Sequence, residues 1–177
     1  MPRLLLRAGL TSSGIMTVAD VIAQNIERQV LGSTPEKPRE YDPHRTVRFA
    51  VVGLTLHGPY FQRGFAMVDR HFGQSLLHGK PAWTVIGKKV LSTQFALNAP
   101  FMVLLFGWMG MLEGRREGVE IWDNVVQKWP AAFWAGNLFW PCANFLNLRF
   151  LGPQHRVAYV AACGALCALK KGHREPV

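Results

Sequence analysis

At 177 residues the chain has the length of a single domain, and only 18% of it is charged against 49% hydrophobic, below the charged quarter usual in soluble domains. Lys and Arg outnumber Asp and Glu by 20 to 11, a formal charge of +9 that points to an anionic partner: lipid head groups, nucleic acid or an acidic protein surface. The basic residues form no run, which ranks nucleic acid below lipid; Arg45/Arg48, Lys88/Lys89, Arg115/Arg116 and Lys170/Lys171 each stand at the edge of an apolar segment, as charges flanking membrane spans do.

Residues 1–8 read as a basic tail, with Arg3, Arg7 and no acid, the bias of a mitochondrial presequence. Leu10 to Ile26 already forms an apolar helical pattern with no cleavage spacing before it, so a retained N-terminus is expected. Asp20 and Gln24 lie one turn apart in that helix, and an acid so deep in an apolar segment ordinarily faces a bundle interior. Residues 32–44 hold three prolines and alternating charges and read as a loop. A second helix is expected from Arg45 to Phe72, where Pro59 would free the carbonyl of Thr55, with the Thr55 hydroxyl at hand to re-satisfy it.

After a connection at 73–83, a third helix runs from Thr84 to Glu113. Its second half, FALNAPFMVLLFGWMGML, is the clearest spanning stretch by length and polarity. Gln94 and Asn98 again sit one turn apart, and Pro100 breaks the ladder beside them. Residues 113–118 form a charged turn. A fourth helix covers 119–151, of which 130–151 matches the roughly 20 residues that cross a bilayer. Inside it Pro141 cannot bond the carbonyl of Asn137, and Asn137 and Asn144 should share one helix face. The last apolar stretch, 157–169, is short enough to be a closing helix rather than a crossing.

The pattern predicts an all-α, membrane-embedded bundle of four spanning helices plus a short C-terminal helix. It would form a single domain over 9–169, followed by a basic tail at 170–177. The weight of basic loops and tails puts both termini in the matrix. Small residues four apart, Ala132/Gly136, Ala161/Ala165 and Gly164/Ala168, permit close helix approach. Cys142, Cys163 and Cys167 are odd in number and lie in apolar stretches, which speaks for small packing residues and against a disulfide framework.

Catalytic and metal-binding motifs are missing from the sequence. The six histidines make no HExxH, and there is no CxxC, GxGxxG, Walker loop or GxSxG. Asp69 and His71 are two apart and diverge on a helix, so Asp69 reads as interfacial. A protein without enzymatic activity, cofactor or metal is expected. Asp20, Gln24, Gln94, Asn98, Asn137 and Asn144 would form a polar seam, lining a pore or bonding helices together. Arg45, Arg48, Lys88 and Lys89 would meet lipid head groups, cardiolipin above all.

Trp140-Pro141, Asn144-Phe145, Asn147, Phe150-Leu151 and Arg156 resemble the WP…NF…VP…R signature of the Mpv-seventeen / twenty-two-kilodalton peroxisomal membrane protein family. Asp20 and Gln24 resemble its GD…Q helix, Gly58-Pro59 with Asp69 its GP…LD segment, and Lys89, Gln94 and Pro100 its K…DQ…P segment; Asn137 matches as well. The likeness covers residues 9–166. Thr93 stands where the family has aspartate, Gln62 for a histidine, Gly64 for a tryptophan, and the valine-proline is shifted to Leu151-Gly152-Pro153. The final tryptophan-containing stretch is replaced by CALKKGHREPV. The resemblance implies a multi-span protein of the mitochondrial inner membrane or the peroxisome, associated with metabolite passage, some relatives being tied to mitochondrial genome or ribosome maintenance. The departures favour a structural or accessory subunit of a larger inner-membrane assembly, packed against other membrane subunits. The alternatives are a small channel and a basic helical protein associated with mitochondrial nucleic acid or ribosomes.

Overall fold

The computed structural model describes residues 2–31, 40–73, 83–115 and 117–172. Most of the loop expected at 32–44, most of the connection expected at 73–83 and the end of the expected C-terminal tail lie outside the described residues. The described chain is all helical: α1 (Pro2–Leu31), α2 (Pro43–Val52), π1 (Gly53–His57), α3 (Gly58–Phe72), α4 (Trp83–Ser92), π2 (Thr93–Asn98), α5 (Ala99–Leu112), α6 (Gly118–Gly136), α7 (Trp140–Phe150) and α8 (Arg156–Gly172). Residues 2–8, read from sequence as a tail, are the first turns of α1, and 170–172 close α8.

Two prolines shape the two middle runs in the same way. Proline lacks the N–H for its helical bond, and its ring collides with the carbonyl four residues back. Immediately before each, the helix widens into a π-turn: Gly58 N–H reaches Gly53 O and Ala99 N–H reaches Gln94 O, five residues back. Pro59 and Pro100 follow directly, so the helix continues past them instead of stopping. The Thr55 hydroxyl bonds Val51 O at 2.7 Å, one turn back, and not its own freed carbonyl. Around Pro100, neighbouring helices supply donors: Tyr60 Oη–H to Leu97 O and Trp129 Nε1–H to Ala99 O, both at 2.9 Å. α2 itself starts cleanly, with Asp42 capping Arg45 N at 3.1 Å and Pro43 in the first turn.

Pro141 acts differently, and the long fourth helix expected over 119–151 does not form. The helix stops at Asn137–Phe139 and restarts as α7, with Pro141 in its first turn, where the missing N–H costs nothing. Asn137 and Asn144 therefore stand on separate elements and share no helix face. The 11 residues of α7 rise only about 16 Å, short of a bilayer core. Of the four spanning helices expected, the described residues contain two runs long and apolar enough to cross, Arg3–Gln29 and Trp83–Leu112.

The chain divides into two compact units, Met1–Gly58 with Ala158–Val177, and Pro59–Val157. In the first, α1 packs on α2 and π1 with almost no side chain between backbones. A Cβ on Gly53 would lie 2.6 Å from Ser13 Cα, and one on Gly58 2.5 Å from Gly9 Cα, so only glycine fits at either crossing. In the second, α5 packs on α6, and α7 on α4 and π2. Phe61 and Phe101, with ring centroids 4.7 Å apart, anchor its apolar core beside Phe65, Leu97 and Phe133.

Large apolar side chains are exposed, and polar ones are buried beside the apolar core. Leu138 is 88% exposed, Trp134 71% and Phe150 62%, while Lys89, Thr93, Asn147 and Ser12 are 0% exposed. Within the most apolar window of each long run only 22% of residues are buried, whereas a soluble core helix would hide most of them.

Candidate functional site: the buried polar clusters

In the first unit, Asp20, Gln24 and Thr46 are all buried. Gln24 Nε2 donates to Asp20 Oδ2 at 2.8 Å and to Asp42 O at 2.9 Å, while Gln24 Oε1 accepts from Asp42 N at 2.7 Å. The Thr46 hydroxyl donates to the same Asp20 oxygen at 2.7 Å and meets Tyr41 Oη at 2.8 Å. Asp20 Oδ1 meets Arg45 Nε at 2.8 Å as an ion pair without hydrogen-bond alignment. Arg45 also grips Glu27 through both terminal nitrogens, at 2.9 and 3.2 Å. Burial alone would lower the Arg45 pKa; the hydrogen bond it donates to Glu27 and the charges of Asp20 and Glu27 outweigh it and raise it. Arg48 pairs with Asp42 at 3.4 Å. One turn of α2 thus ties itself to α1 by a closed set of charges and amides. Apart from it, Ser12 Oγ lies 2.7 Å from His57 Nδ1, buried where Gly53 and Gly58 bring the backbones together.

In the second unit the deepest charges meet. Lys89, with a fully buried side chain, reaches Asp69 Oδ1 at 2.8 Å; Arg156, 1% exposed, reaches Asp69 Oδ2 at 2.6 Å. Arg156 Nε also donates to Leu151 O at 3.2 Å, across the Gly152-Pro153 turn. This corrects two expectations. Lys89 is spent on Asp69 inside the protein and is no head-group ligand, whereas Lys88 beside it is exposed. Asp69 is no interfacial acid: it is the carboxylate on which two helix-distant cations converge, while His71 lies edge-on against Phe72.

Beside this triad runs a chain of amides. Asn98 Nδ2 donates to Gln94 Oε1 at 3.0 Å, Gln94 Nε2 to Asn137 Oδ1 at 2.8 Å, and Asn137 Nδ2 to Phe133 O at 3.0 Å. Asn144 joins neither network: its Nδ2, both side-chain atoms of Asn147 and Thr93 Oγ1 are buried without a partner among the described residues.

The six residues expected as one seam therefore belong to separate arrangements: Asp20 with Gln24, then Gln94 with Asn98 and Asn137, and Asn144 apart. Sequence reasoning missed Arg156, Thr46 and Asn147 as participants. Arg156 and Asn147 were marked by the signature they complete, and nothing in the sequence singled out Thr46. Chemically, the arrangement holds charges and amides in place; among the described residues no three His, Cys, Asp or Glu side chains gather as a metal site.

Residues 110–167 match the sequence profile of the Mpv17 / PMP22 family. Over longer stretches the chain is similar to the PXMP2/4 family protein 4 of Dictyostelium discoideum, 28% identical across 87% of this chain and 77% of that protein. It is similar too to the mitochondrial inner membrane protein Mpv17 of Drosophila melanogaster, 24% identical across 87% and 85% respectively. The Mpv17-like protein of Xenopus laevis is 24% identical across 80% of this chain and 64% of its own length. No solved structure matches. The three charges of the buried triad, and Gln94 beside it, lie in segments that carry the resemblance described above, and the fold brings them together. The likeness to the Mpv17 / PMP22 family thus spans residues 110–167 by its profile and most of the chain by single relatives.

Proposed function

We propose that the chain is an integral protein of the mitochondrial inner membrane that serves as a structural or accessory subunit of a larger assembly, without enzymatic activity or cofactor. Polar side chains are buried beside the apolar core and many large apolar side chains are exposed, an arrangement suited to lipid and to flanking membrane subunits. The mitochondrial inner membrane is where the name of the Drosophila relative puts that protein, and the acid-free, arginine-bearing start of this chain fits the same organelle. The observation that carries the subunit role is the closure of the polar networks. Gln24, Gln94, Asn98 and Asn137 spend hydrogen bonds on one another, on Asp20 or on backbone, which supports a role in holding helices together. Cardiolipin is the lipid we assign to the basic edges, through Arg45, Arg48 and Lys88.

Purification from membranes in mild detergent, followed by sizing and identification of co-purifying chains, tests this. A stable stoichiometric complex with other membrane proteins is expected; a monomer or a homo-oligomer would overturn the subunit role. A second reading, passage of a small solute, draws on the unpartnered atoms of Thr93, Asn144 and Asn147, and would gain from solute flux in liposomes containing the pure chain.

A further inference from the structure

α7 packs on α4 and π2, and α7 and π2 each bury polar side chains. α7 buries Ala143, Asn144, Asn147 and Leu148, and packs on α4 and π2; the buried residues of π2 include Thr93. Asn144 is 1% exposed, and Asn147 and Thr93 are 0%. Four of their side-chain atoms, Thr93 Oγ1, Asn144 Nδ2, Asn147 Oδ1 and Asn147 Nδ2, have no partner among the described residues. A buried amide or hydroxyl left so is costly and uncommon, and here four such atoms fall on two elements that pack together. Exchanging the amide oxygen and nitrogen of Asn147 rescues nothing, since both are unpartnered. The set contains donors and an acceptor and carries no charge, so its complement is a small neutral molecule that both donates and accepts. Water has that chemistry and that size.

We infer that Thr93, Asn144 and Asn147 form an internal hydration site between α7 and the α4–π2 run, holding one or more water molecules inside the second unit. The site stands under either functional reading, because a packing subunit also has to satisfy buried amides. It accounts for Asn144 Nδ2 and the Asn147 amide on α7, which have no partner among the described residues.

Radiolytic labelling of the full-length protein in nanodiscs, in isotopically labelled water, reads the site directly, because radicals form at bound water. Leu148, 0% exposed and next to Asn147, is expected to take up labelled oxygen, while Val52, also 0% exposed, stays unlabelled. Uptake at Leu148 should fall several-fold in Asn144→Leu/Asn147→Leu, which fills the space with carbon. Thr93→Val keeps the shape and removes the hydroxyl, and should lower Tm by roughly 2–4 °C through the lost bond to water. If the double variant does not fold, the native labelling and Thr93→Val decide. A dry site gives Leu148 as silent as Val52, or a Tm that holds or rises in Thr93→Val, since an unsatisfied hydroxyl has then been removed. Either result overturns the inference, and so does saturable stabilisation by millimolar glycerol, which would put a neutral solute in place of water.

Discussion

Around Asp20, the buried carboxylate and amide end on other groups of the protein: the carboxylate on Thr46, Gln24 and, as an ion pair, Arg45, the amide on Asp20 and the Asp42 backbone. Inside the second unit, the amide chain from Asn98 to Phe133 O is equally complete, yet Thr93, Asn144 and Asn147 are not served. The charges differ as well. Arg45 keeps 32% of its side chain exposed, so solvent shares in balancing Asp20, whereas Lys89 and Arg156 are 0% and 1% exposed and depend on Asp69. The first cluster is a clasp at a helix start, open at one side; the second is an ionic centre sealed inside apolar helices. A lost partner is replaceable by water in the former and not in the latter.

The largest consequence falls on Asp69. Asp69→Asn leaves two buried cations on a neutral amide, a loss of about 3–5 kcal/mol by the usual cost of breaking a buried pair. Little folded protein should be recovered in detergent, while the triple change Asp69→Leu, Lys89→Met, Arg156→Met should fold better than the single one, as a readout of folded yield by sizing would show. If the single variant folds normally, the triad is not the anchor described above.

Next in size is the glycine crossing. Gly58→Leu puts a side chain into the backbone of Gly9, and the overpacking costs about 1–3 kcal/mol or more because backbone cannot step aside. Gly87→Leu, where a Cβ meets nothing, should leave Tm unchanged. Equal Tm values for the two variants would deny the close approach. Asp20→Ala comes third. It frees Thr46 and Gln24, but Arg45 retains Glu27 and solvent, so about 1–3 kcal/mol should be lost, less than at Asp69. A loss as large as that of Asp69→Asn would erase the contrast between the clusters.

These differences show what was legible in the sequence and what was not. Helix positions and the residues that interrupt them were legible, because apolar periodicity and proline act locally. The polar positions were legible too, since an Asp, Gln or Asn inside an apolar run stands out. Their partners were not. Asp69 and Arg156 are 87 residues apart, and each looks like an ordinary helix-end charge until tertiary packing removes both from water. Pro141 was visible, but the choice between a kink and a break depended on whether its missing N–H fell inside a helix or in a first turn. The π-turns answer Pro59 and Pro100 inside runs that packing keeps helical; at 137–139, the Asn137 side chain turns back onto Phe133 O and the helix ends.

The smallest effect separates neighbours. Lys88→Gln should lower the cardiolipin retained on purification without moving Tm, while Lys89→Gln should lower Tm and leave lipid unchanged, because only Lys88 faces outward. Lipid content by mass analysis beside a melting curve reads both, and the reverse assignment would return Lys89 to the surface.

The claim on which the rest depends is that the buried amides hold helices together. Asn137→Leu addresses it most directly, since it removes the acceptor of Gln94 Nε2 and leaves that donor buried with Gln94 2% exposed. Its melting temperature in detergent is expected to fall, by roughly 2–4 °C for each kcal/mol of the about 1–3 kcal/mol that a stranded donor costs. An unchanged melting temperature, with solute flux through liposomes reduced, would contradict the account and make Asn137 part of a water path.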